Sequence, residues 1–117
     1  MAQASQSDIT LFFIDFKRVA QDKFIFVGRK VNLDCISRLG ITIKGAKNII
    51  FGLTYRDYIS GPDKDRDRKM GNVWVFGTLV DKTEVYLKLS DNFKCNIAKC
   101  ISFHEANYRC TYPYKAN

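Results

Sequence analysis

The apolar pattern of this chain changes period once, near Gly71, and that change restricts the folds open to it. Before it, apolar residues recur at helical spacing; after it, they alternate. Residues 8 to 22 predict a helix, with Asp8 placed to cap it and Ile9, Phe12, Phe13, Phe16, Val19 and Ala20 on one face. Leu11 and Ile14 fall outside that stripe and leave a strand through "ITLFFIDF" as the alternative. "KFIFVGR" reads as an edge strand or an extended link. Asn32 is placed to cap a second helix, "LDCISRLG", which Gly40 stops. Thr42 opens a third, with Ile43, Ala46, Ile49, Ile50 and Leu53 on one face and Gly45 weakening it slightly.

Between the two regimes lies "SGPDKDRDRKMGN", whose Gly-Pro pair and Gly71 predict a loop. Its four basic and three acidic residues alternate in sign, as in a solvated loop of weak ion pairs or a basic flap over a phosphate backbone. Beyond it "NVWVFGTLV", "EVYLKLS" and "IAKCISFHE" alternate with period two and are joined by the short turns "DKT" and "DNFKCN", an antiparallel meander. Helices followed by strands predict an α+β fold: a small curved antiparallel sheet packed on N-terminal helices. No repeat or low-complexity block interrupts the 117 residues, which read as a flexible tail over residues 1–7 and one domain over residues 8–117.

A hydrophobic fraction of 46% supports a core, and a net charge of +7 favours polyanionic partners: nucleic acid, an acidic membrane surface or an acidic protein. The polar opening "MAQASQSD" does not resemble a signal peptide, and no apolar run approaches the roughly 20 residues of a membrane span. The expectation is a cytoplasmic protein whose four cysteines, Cys35, Cys95, Cys100 and Cys110, are reduced and mostly buried.

Alternation sorts the meander into two faces. Val85, Leu87, Leu89, Ile101 and Phe103 should face the helices. Tyr86, Lys88, Cys100, Ser102 and His104 should share the opposite face, with Glu105 turned away from His104. His104 is the single histidine. An unperturbed imidazole titrates near ~6.5 and exchanges a proton at neutral pH. Lysine neutralises a phosphate oxygen, and tyrosine donates a hydrogen bond or a proton. On a basic protein this set suits a phosphodiester, and RNA carries its own nucleophile in the 2′-hydroxyl. The same residues also suit the solvent face of an ordinary half-buried sheet. A zinc site is disfavoured, because Cys95, Cys100, His104 and Cys110 lack ligand-pair spacing. A Cys100–His104 nucleophile pair is disfavoured too, since four residues of strand separate them by about 13–14 Å.

The segments "AKNIIFGLTYRDYISGPDKDRDRKMGNVWVFG", "EVYLKLS" and "AKCISFHEANY" together resemble the MqsR-like toxins, of the motility quorum-sensing regulator type, over residues 32 to 110. The resemblance implies a RelE-, barnase- and BrnT-like α+β fold and a toxin of a type II toxin–antitoxin pair. It further implies messenger RNA cleavage without ribosome, metal or other cofactor, through 2′-OH attack to a 2′,3′-cyclic phosphate and a 5′-OH, and neutralisation by a cognate antitoxin. Tyr86 stands where the family places a catalytic tyrosine, and His104 where it places a catalytic lysine, with Lys88 beside them. Two positions depart from the pattern: Ile59 and Ser60 replace a lysine after Asp57-Tyr58, and Val75 replaces a glutamine after Trp74. Lys64, Arg66 and Arg68 are then the expected source of the missing positive charge, with Trp74 and Ser102 completing the RNA-contacting set. The competing expectation is a basic module that binds nucleic acid or an antitoxin without chemistry.

Overall fold

The computed structural model describes residues 3–64, 71–91 and 93–115. Its three helices are α1 (Gln6–Asp22), α2 (Lys30–Leu39) and α3 (Ile43–Phe51). Its strands are β1 (Phe24–Phe26), β2 (Tyr58–Lys64), β3 (Asn72–Val80), β4 (Thr83–Ser90) and β5 (Ala98–Glu105). They form one mixed sheet in the order β1-β5-β4-β3-β2, with β1 parallel to β5 and the other pairs antiparallel. The chain is therefore α+β, with the predicted meander β3-β4-β5 at its centre. Among the described residues no helix is long and apolar enough to cross a membrane.

The helical stripe of α1 is buried as its spacing predicts, and Phe12 and Phe13 pack on Trp74 and Phe76 of β3 with centroids 4.7 Å apart in each of the pairs Phe12–Trp74 and Phe13–Phe76. Leu11 and Ile14 lie on the outer side of the same helix, so they broke the stripe without breaking the helix. The helix begins earlier than predicted. Ser5, not Asp8, is its cap: the Ser5 hydroxyl accepts the Asp8 N–H at 3.0 Å. Nor are residues 3–5, just before it, a free tail. The Ala4 N–H donates to the Tyr58 hydroxyl at 3.0 Å, and the Ala4 carbonyl accepts from Tyr114 at 2.6 Å. Gly40 and Thr42 act as predicted: Gly40 ends α2 at φ 71, and the Thr42 hydroxyl caps α3 by accepting from the Gly45 N–H.

The predicted loop at residues 60–64 is instead strand. Gly61 and Pro62 signal a turn, yet they sit in β2, an edge strand, in the irregular stretch between the paired residues Ser60 and Asp63. The pairing to β3 shifts register twice, between Tyr58 and Ser60 and between Ser60 and Asp63. Gly61 is required there: its φ is +106, and a Cβ would lie 2.7 Å from the Val73 carbonyl.

Candidate functional site

The site is set by the pairing of β4 with β5. Tyr86 lies opposite His104, and Lys88 opposite Ser102, as alternation predicts. The register then slips by one residue, so that Leu89 pairs with Cys100 and Ile101 is the extra residue of a bulge. This slip corrects the expected faces. Cys100 turns into the core, where burial pushes its thiol far up, and Ile101 is only half-buried. Asn32 explains how the bulge is held. Rather than capping α2, whose cap is Arg29, it is fully buried within the helix. Its Nδ2 donates to the carbonyls of Val27 and Ile101, each at 2.9 Å, and its Oδ1 accepts the Phe103 N–H at 3.1 Å. The amide thus satisfies backbone groups on both sides of Ser102 just past the end of β1.

Past the bulge, the His104 and Tyr86 rings stack with centroids 5.5 Å apart and an interplanar angle of 27°. The Lys88 ammonium lies 5.9 Å from the centre of the Tyr86 ring. All three side chains are half-buried. His104 Nδ1 is 3.0 Å from the Glu105 carbonyl oxygen. A carbonyl only accepts, so Nδ1 carries the hydrogen, and the neutral ring presents its lone pair at Nε2. The Glu105 carboxylate turns the other way, to Arg38 at 3.9 Å. Burial, then Cys110 and Asp63, push the Tyr86 phenol above its usual range, so it is held as a proton donor at neutral pH. One carboxylate oxygen of Asp63 is buried with no hydrogen-bond partner among the described residues.

Tyr86 and His104 line a cavity of about 470 Å³ whose other walls are Ile59 and residues 106–111. That wall is a strap. Its anchor is Glu84, which accepts the Cys110 N–H at 3.0 Å and the Tyr112 hydroxyl at 2.8 Å. Tyr112 then passes over Gly77, where a Cβ would stand 2.6 Å from its hydroxyl oxygen. On this face Val73 and Val75 are buried, whereas Tyr86, Lys88 and His104 stay partly exposed. The strap brings Tyr108 and Arg109 to the cavity. Sequence reasoning missed both, because residues 106–115 follow the last strand and carry no period. Their only signal was an aromatic and a basic residue closely following His104. Cys110 also lines the cavity, but burial and then Glu84 push its thiol up, which keeps it protonated and a poor nucleophile.

Of the other predicted contact residues, Ser102 is 2% exposed, too buried to offer a contact surface. Trp74 lies on the helix-covered face: it stacks on Phe12, and its indole N–H donates to Asp91 at 3.0 Å. Neither is placed to contact RNA. The backbone of Lys64 ends β2, while Arg66 and Arg68 lie outside the described residues. Among the described residues no three His, Cys, Asp or Glu side chains gather to hold a metal ion. All four cysteines are free; Cys35 and Cys100 are buried, whereas Cys95 is exposed. Compared with family models, with curated proteins and with solved structures, the chain matches none.

Proposed function

We propose that this protein is an endoribonuclease that cleaves RNA through the substrate's own 2′-hydroxyl, needing neither metal nor ribosome. The observation that carries the reading is the stacked His104–Tyr86 pair, in the wall of a nucleotide-sized cavity, with its imidazole lone pair directed by the Glu105 carbonyl. His104 Nε2 takes the 2′-OH proton. The 2′-oxygen attacks phosphorus, the P–O5′ bond breaks, and a 2′,3′-cyclic phosphate forms. Tyr86, held neutral by burial, donates its proton to the departing 5′-oxygen. Lys88 stabilises negative charge on the phosphoryl oxygens. Arg109, which lines the same cavity as Ile59, supplies positive charge that the lysine of the MqsR-like pattern would otherwise bring.

The α+β fold, the order of the meander and the basic surface are consistent with a RelE-like toxin acting on messenger RNA in the cytoplasm and neutralised by an acidic antitoxin. A single 2′-deoxy substitution at the cleaved nucleotide separates chemistry from mere binding. The expected result is loss of cleavage at that bond with binding retained, because the nucleophile is gone and the phosphate contacts remain. Cutting at the deoxy position would refute 2′-OH attack. Tight, salt-sensitive binding with no cut in either substrate would establish the non-catalytic module instead.

A further inference from the structure

His104 borders not one cavity but two. The first, described above, holds Tyr86, Tyr108 and Ile59 and is largely apolar. The second, about 580 Å³, holds Arg38, Glu105 and Val31 and is more polar. Both share His104, Ala106 and Asn107, so these residues stand at the border between the two cavities. Tyr108 is 87% exposed at the first cavity, an aromatic face that the other described residues leave open. Arg38 comes from α2 and pairs with Glu105 at 3.9 Å, with side-chain exposures of 61% and 59%. A long pair between two exposed side chains is weak and readily exchanged for another anion.

Resting on the ribonuclease reading above, we infer that the RNA strand crosses His104 from one cavity to the other. One base is held in the first cavity against Tyr108, and the next phosphate along the strand beyond the scissile one, which a two-mer lacks, displaces Glu105 from Arg38 in the second. The two halves differ in chemistry as the two parts of a nucleotide do. An apolar, aromatic-walled pocket takes a base, which stacks on any exposed ring. A guanidinium takes a phosphate bidentately. Glu105 opposes that phosphate, and so sets how tightly longer substrates bind.

The test is binding of 2′-deoxy-substituted, uncleavable oligonucleotides of two and five nucleotides, followed by fluorescence anisotropy at several salt concentrations. Wild type should bind the five-mer more tightly. Arg38→Gln should weaken five-mer binding about tenfold, with a salt slope smaller by about 0.7, and leave the two-mer unchanged. Glu105→Gln should tighten only the five-mer, and Tyr108→Ala should weaken both. Five-mer binding unaffected by Arg38→Gln and Glu105→Gln overturns the crossing while leaving the ribonuclease reading intact. Failure of wild type to bind or cut any RNA overturns both. Arg38 and Glu105 are exposed, and unchanged circular dichroism excludes misfolding as the cause.

Discussion

Asn32 should be the residue on which both stability and site geometry depend most. Replacing it with alanine removes three hydrogen bonds of 2.9, 2.9 and 3.1 Å. The Val27 and Ile101 carbonyls and the Phe103 N–H lose these partners, and the bulge beside His104 loses its clamp. Each buried polar group left unpaired costs about 1–3 kcal/mol, offset in part because the amide itself no longer has to be buried. A net loss of about 3–5 kcal/mol follows, a large share of the roughly 5–15 kcal/mol that holds a domain of this size. Urea denaturation should show the midpoint fall with the slope unchanged. Asn32→Asp is the sharper variant. A carboxylate still accepts from Phe103 but faces two carbonyls it cannot donate to, so it should be no better than alanine. A loss below about 1 kcal/mol in the alanine variant, or an aspartate variant near wild type, would refute the claim that the amide holds the bulge.

Two further perturbations test neighbouring parts of the account. The β3–β4 turn places Asp81 at φ 48 and Lys82 at φ 72, the left-handed conformation of a two-residue hairpin that favours Asn-Gly. Asp81→Asn with Lys82→Gly should therefore raise stability by about 1 kcal/mol, seen as a higher thermal midpoint. The Cys110 N–H, and after it the Tyr112 hydroxyl, hold the Glu84 carboxyl below its usual range, against an opposing effect of burial. Its folded form releases a proton more readily than its unfolded form. The stabilisation is thus complete above about pH 4.3 and is lost as pH falls from there through the lower folded value. Amide exchange at Cys110, corrected for intrinsic rates, should lose protection in that window, and Glu84→Gln should abolish the pH dependence.

What could be read from the sequence was whatever a local period encodes. The stripe of α1, the stop at Gly40, the cap at Thr42 and the pairing of Tyr86 with His104 all follow from spacing. Non-local compensation was hidden. Gly61 and Pro62 signal a loop by their local chemistry, and only their place at a sheet edge makes them strand. Ser102 and Cys100 were assigned to one face by strict alternation, and a bulge clamped by a residue some seventy positions away separates them. Trp74 was read as an RNA-contacting residue, but it meets Phe12 across the core. The strap that completes the cavity is irregular and held by Glu84, so no window of sequence marks it.

The central claim, that His104 and Tyr86 act on the RNA phosphodiester, is tested most directly by single-turnover cleavage of end-labelled RNA in chelator-containing buffer. The account predicts products ending in a 2′,3′-cyclic phosphate, and a rate lower by about 10²–10⁴-fold in His104→Ala with the fold intact. Cleavage by His104→Ala at the wild-type rate, or no cleavage by the wild type, would contradict it.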